Sequence, residues 1–195
     1  RDRLSLVGSE MCIRDSIIPR PEHPRPDFKR DNWLSLNGVW DFTFDPDDIG
    51  LREKWFRPDA PAFHETINVP FAWQSALSGI KKPTQHGIAW YRRSFDVPVS
   101  WQAHRIFLRF GAVDYYSDVW VNGKHLGHHE GGYSPFEFDI TDLLTLQNNS
   151  VTVQVHDPID LSEIPHGKQS CTPRNPWDDC DFTSISGIWQ TCLLY

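Results

Sequence analysis

The sequence predicts an all-β protein built as an antiparallel sandwich or barrel. Three observations carry that reading. Apolar and polar residues alternate with a period of two in several short runs. Pro and Gly punctuate the chain between those runs. Helical periodicity is weak, so nothing supports the strand–helix alternation of a parallel α/β sheet.

In chain order, Trp40, Phe42 and Phe44 alternate with Asp41 and Thr43, the pattern of a half-buried strand. Strands are predicted next over 67–69 and 89–97. Ile106, Leu108 and Phe110 then alternate with Phe107 and Arg109. Residues 119–121 are apolar on both faces, Asn122-Gly123 supplies a tight hairpin signal, and 124–127 is the return strand. A strand follows over 136–140. Val151, Val153 and Val155 alternate with Thr152, Gln154 and His156, and a last strand runs from Gly187 to the end. Only 50–56 and 141–144 suggest a helical turn or two. The segment 161–179 is a long polar excursion, and long excursions on compact domains often carry function.

Composition narrows the function. The 195 residues carry a net charge of -7, which argues against a nucleic-acid binder. Aromatic residues make up 13%, enough for a sizeable packed core. No apolar run approaches the roughly 20 residues of a membrane span. A complete (β/α)₈ barrel, which takes about 250 residues, does not fit in this length.

The two ends read differently from the rest. Residues 6–16 are LVGSEMCIRDS, which matches the translation of a transposase mosaic-end sequencing adapter, and the final CLLY matches its reverse complement. Residues 1–16 and 192–195 are therefore expected to be adapter-derived and non-native. Between them, 17–30 is expected to be an extended proline-rich lead-in and 31–191 a single sandwich domain. Cys12 and Cys192 then drop out of the native count, leaving Cys171 and Cys180, and the termini leave localisation open between cytoplasm and export.

Several motifs occur in order along the chain. They are Leu36-Asn37-Gly38-Val39-Trp40, Ile67-Asn68-Val69-Pro70 and Ala89-Trp90-Tyr91-Arg92-Arg93-Ser94-Phe95. Asp118-Val119-Trp120-Val121-Asn122-Gly123 and Gly131-Gly132-Tyr133-Ser134-Pro135-Phe136 follow, then Asp139-Ile140-Thr141, Asn149-Ser150-Val151 and Ser186-Gly187-Ile188-Trp189-Gln190-Thr191. The ordered set resembles the N-terminal domain of glycoside hydrolase family 2, the family of β-galactosidases, β-glucuronidases and β-mannosidases. The resemblance implies a jelly-roll β-sandwich of the galactose-binding-domain type over 31–191, which would bind sugar. It also implies a parent in which an immunoglobulin-like sandwich and a (β/α)₈ barrel follow.

The resemblance limits the chemistry. Retaining glycosidases use two carboxyl groups about 5 Å apart as acid/base and nucleophile. In the family both belong to the barrel, so no catalytic residue and no cofactor is assigned to this chain, and the chain alone is expected to be inactive. Glu53, Glu65, Glu130, Glu137 and Glu163 are scattered without a supporting motif.

Two substrate contacts are carried over from the resemblance. An aspartate just before the last strand of the family domain reaches the bound sugar, and the matching position is Asp181 in Asp181-Phe182-Thr183-Ser184-Ile185-Ser186-Gly187. A carboxylate there accepts hydrogen bonds from neighbouring hydroxyls. An asparagine before the Tyr-x-x-x-Phe strand is a second contact in some members, and counting back from Tyr91 and Phe95 places His86 there, beside Gln85. The partner implied is a β-glycoside, together with the parent's own barrel and sandwich domains and a homo-oligomer. A stand-alone lectin-like module is the alternative.

Other candidates fit structural roles better. His125, His128 and His129 lack a metal-ligand motif and suit a solvent-facing hairpin, and Cys171 and Cys180 lack a CxxC partner. Trp40, Trp120 and Trp189 fall on strand patterns and are expected in the core, whereas Trp73 and Trp177 lie in loop-like sequence and offer rings for a sugar face. Gly131-Gly132 is expected to supply backbone conformations closed to other residues. Asn148-Asn149-Ser150 fits a glycosylation sequon.

Overall fold

The computed structural model describes residues 18–25, 27, 29–61, 63–158, 163–170 and 182–195. Two antiparallel sheets face each other. One holds β1 (Leu34–Ser35), β14 (Cys192–Leu194), β5 (Phe107–Phe110) and β9 (Phe136–Asp139), in that order. The other runs β3 (Glu65–Val69), β2 (Gly38–Phe44), β4 (Gly87–Phe95), β10 (Asn149–Asp157), β7 (Tyr116–Val121), β8 (Lys124–Glu130). Two small pairings close one end: β6 (Val113–Asp114) with β13 (Gly187–Ile188), and β11 (Gln169–Ser170) with β12 (Phe182–Thr183). The all-β sandwich read from the period-2 runs is the fold found.

The alternation sets the core. Trp40 and Phe42 of β2, Val151, Val153 and Val155 of β10, and Leu108 and Phe110 of β5 are all fully buried between the sheets. Val39, one position out of phase on β2, is 60% exposed. Burying such side chains contributes roughly 1.5–3 kcal/mol each. Asn122 and Gly123 both take positive φ, 51° and 78°, as the two-residue β7–β8 hairpin requires.

Trp120 is buried, but on the far side of the sheet. It stacks on Trp90 at 5.4 Å and on Phe56 at 5.4 Å, and Trp55 meets Trp90 at 6.0 Å. The turns over 47–61 thus cover the outer face, which explains why residues 119–121 are apolar on both faces. Asp45 ties this layer down, accepting from Trp90 Nε1 at 3.0 Å and from the backbone N–H groups of Ile49 and Gly50 at 2.9 and 2.8 Å. Residues 50–56 form hydrogen-bonded turns, and Thr141–Leu143 is a single 3-10 turn.

The last predicted strand is broken in two, because β13 pairs with β6 while β14 crosses to the four-stranded sheet. Residues 192–194, at the end read as adapter translation, supply β14, with Cys192 and Leu194 fully buried. Trp189 sits at the break and is only half-buried, not in the core. Its Nε1 donates to the Gly132 carbonyl at 2.7 Å.

Candidate functional site

Register gathers the candidate site at one end of the six-stranded sheet. Asp157 at the end of β10 faces Gly87 at the start of β4, His156 faces Tyr116 at the start of β7, and Tyr116 faces Glu130 at the end of β8. Four connections therefore converge there: the loop 81–86, the excursion after β10, the β6–β7 junction and the Gly131–Tyr133 turn. The β6–β13 pair caps them, with Gly187 opposite Asp114.

Buried polar side chains hold these connections together. Gln74 Nε2 donates to Ser186 Oγ at 2.7 Å and to the Gln85 carbonyl at 3.3 Å, while its Oε1 accepts the Ser186 N–H at 3.0 Å. Ser186 Oγ in turn donates to Asp157 Oδ2. Trp73 Nε1 also donates to the Gln85 carbonyl, at 2.7 Å. Trp73 is fully buried against Phe42 and Phe44, so it offers no face to a sugar. Its apolar surroundings are supplied by strands remote in sequence, which its loop-like neighbours do not reveal.

Asp114 is a strongly perturbed carboxyl at this end. Burial first, and the nearby Asp157 carboxylate second, push it up to about 7, opposed by a hydrogen bond from Gln169. Its carboxyl carbon lies 2.5 Å from where a Cβ at position 132 would be, so Gly132 is needed for this close approach. Gln169 bridges outward, accepting the Ile185 N–H at 2.6 Å and donating to the Tyr133 hydroxyl at 2.8 Å. Tyr133 is 59% exposed and meets the Trp189 ring edge-on at 5.7 Å.

His86 is exposed in the loop before β4, with Nδ1 3.2 Å from the Thr84 carbonyl. Through Gln85 and Gln74 this loop is tied to Ser186, five residues after Asp181. Asp181 itself lies outside the described residues, as do Cys171, Trp177 and Cys180; the description resumes at Phe182. His125 Nε2 and His128 Nδ1 both face Asp118, at 2.7 and 3.0 Å, on the outer side of the hairpin. No group of three or more His, Cys, Asp or Glu residues suited to a metal ion occurs among the described residues. Gln74, Asp114, Asp157 and Gln169 are the residues that sequence reasoning missed. Single polar residues in loops and at strand ends carry no periodic signal, although Gly131-Gly132 and the Ser186-Gly187 motif lie beside them.

Comparison with known proteins agrees with this architecture. The family described as glycosyl hydrolases family 2, sugar binding domain, matches residues 33–195. A β-glucuronidase of Paenibacillus borealis is 34% identical over 136 residues, covering 68% of this chain and 22% of the relative. That of Canis lupus familiaris is 30% identical over 214 residues, covering 98% of this chain and 31% of the relative. Among solved structures, a β-glucuronidase of an uncultured Clostridium sp. superposes with a TM-score of 0.68 at 31% identity, covering 86% of this chain and 30% of that one. The chain thus spans less than a third of the length of each of these relatives. It belongs to glycosyl hydrolase family 2, as the sugar binding domain of that family.

Proposed function

We propose that this chain is the N-terminal domain of a retaining glycoside hydrolase that cleaves β-glucuronides, and that it lends sugar contacts to a catalytic barrel elsewhere in the parent. The observation that carries the reading is the convergence at one end of the sandwich. The His86 loop and Ser186, in the segment resuming at Phe182, are cross-linked there through Gln74 by buried hydrogen bonds. The naming of the relatives as β-glucuronidases supports hydrolysis over a stand-alone lectin role and selects glucuronides within the family.

In this reading Asp181 accepts hydrogen bonds from sugar hydroxyls and His86 donates one. The two catalytic carboxyl groups belong to the barrel. The test is to express the full-length parent and assay 4-nitrophenyl β-D-glucuronide against the matching galactoside and mannoside. Glucuronide turnover that falls at least about a hundredfold in kcat/KM in Asp181→Ala is expected, since a charge-assisted bond made to the reacting sugar is removed. A parent without glycosidase activity, or an Asp181→Ala variant with unchanged kcat/KM, overturns the reading.

A further inference from the structure

The turns that cover the outer face of the six-stranded sheet leave a recess beside the chain entering β3. It measures about 220 Å³ and is lined by Thr43, Glu53, Trp55, Pro61, Phe63 and His64. Trp55 and Phe63 are half-buried rings 6.1 Å apart and inclined at 57°, so they form two walls of a wedge. Both walls are held in place. The Trp55 indole N–H donates to Glu53 Oε2 at 3.3 Å, and its ring meets Trp90 at 6.0 Å. Phe63 carries the Arg92 guanidinium at 4.3 Å, and that guanidinium donates to the Trp55, Ala60 and Pro61 carbonyls.

The charges select the occupant. The Glu53 carboxylate in the lining repels an anion. A cation gains little, because Arg52 already lies 3.8 Å from Glu53 and the Arg92 guanidinium already sits on Phe63. The polar groups keep hydrogen-bonding capacity. His64 is exposed and its ring makes no hydrogen bond among the described residues. Thr43 Oγ1 donates to the Phe44 carbonyl at 3.3 Å and retains its acceptor lone pairs. A neutral ligand with one apolar face and several hydroxyls satisfies all of these, which is the chemistry of a pyranose. The recess is smaller than the roughly 300–1,000 Å³ of a drug-sized ligand site, so it suits a single ring.

We propose that this recess binds one neutral pyranose unit, with Trp55 and Phe63 against the C–H face of the ring and Glu53, His64 and Thr43 bonding its hydroxyls. The inference goes beyond the glycosidase reading, since it needs neither Asp181 nor a barrel.

The 195-residue chain, labelled with ¹⁵N, tests it without turnover. The probes are the methyl β-D-pyranosides of glucose, galactose and mannose. At least one is expected to give saturable shifts of the Trp55 indole and of the Glu53 and His64 amides. Sodium glucuronate and tetramethylammonium chloride are expected to give none there. Trp55 also packs on Trp90, so the exposed Glu53 and His64 are varied instead. Glu53→Ala and His64→Ala should each weaken the sugar at least about threefold. No saturable shift with any of the three pyranosides, equal shifts with glucuronate or tetramethylammonium, or undiminished binding in both variants overturns the inference. A parent that cleaves glucuronides while the recess stays empty sinks only this proposal. Sugar binding in the recess, in turn, stands even if the parent has no glycosidase activity.

Discussion

The side-chain amide of Gln74 holds Ser186 twice, donating to its hydroxyl at 2.7 Å and accepting its backbone N–H at 3.0 Å. Residues 112 apart in sequence are thereby locked together at the end of the sandwich where the candidate contacts lie. Both partners are buried, Gln74 at 7% and Ser186 at 0% exposure, so neither lost bond can be replaced by bulk water without opening the site. Gln74→Ala is expected to cost about 2–4 kcal/mol of unfolding free energy, because it strands the Ser186 N–H and weakens the hold on the Gln85 carbonyl. Urea denaturation of the chain measures this. A cost under about 0.5 kcal/mol would show that the bidentate contact does not hold the site.

The raised carboxyl of Asp114 sets a pH dependence whose sign is fixed. Its folded-state value of about 7 lies above the ordinary 3.8, so the folded protein keeps the proton that the unfolded chain releases. The stability it contributes is complete below about pH 4 and is lost progressively as pH rises to about 7. Above that, an ionised Asp114 faces Asp157 across the β6–β13 cap. Urea midpoints measured from pH 4.5 to 8 should fall with pH in the native chain relative to Asp114→Asn, whose neutral amide cannot ionise. Parallel pH profiles for the two would refute the assignment.

Gly187 takes φ +88°, and a Cβ at that position would collide with the Tyr91 hydroxyl and press on Trp73. Both rings are fully buried, so neither can swing away. Gly187→Ala is expected to cost more than about 3 kcal/mol, combining backbone strain with overpacking. Tyr91→Phe in the same chain removes the clashing oxygen and should recover part of that loss. A double-mutant cycle followed by thermal unfolding checks the coupling, and additive losses would count against the contact.

How much was legible follows from how each element is stabilised. Strands β2, β5 and β10 bury one face in the core, so their alternation spelled them out, and the Asn122-Gly123 hairpin followed from turn chemistry alone. Strands β1, β6 and β13 are two residues long and exist only because a partner distant in sequence lies alongside, which no local pattern records. Trp73 and Trp189 exchanged their expected roles for the same reason. Loop sequence around Trp73 hides a core position made by β2, whereas Trp189 follows a strand that ends at Ile188, inside the motif. The ordered motifs singled out His86, whose loop lies at the convergent end, but the buried amides and carboxyls behind it are isolated residues. Their roles emerge only once register brings Asp157, Gly87 and Tyr116 together.

The Asn122-Gly123 turn carries a final prediction. Asn122 Nδ2 donates to the Leu143 carbonyl at 2.8 Å and to Asn149 Oδ1 at 2.9 Å, and its Oδ1 accepts the Ser150 N–H at 2.8 Å. Asn149 is fully buried and its own Nδ2 donates to the Thr145 carbonyl. The side chain thus clasps the connection between the 3-10 turn at Thr141–Leu143 and β10, besides shaping the hairpin. Asn122→Asp keeps the size but turns a double donor into an acceptor facing two oxygens. It should cost about 2–3 kcal/mol, more than Asn122→Ala, which removes the bonds without adding the repulsion. Because the amide is held on three sides, deamidation at this Asn-Gly pair should be slow in the folded chain and fast after unfolding in urea. Peptide mapping by mass spectrometry reads both rates, and equal rates in the two states would show that the clasp is not formed.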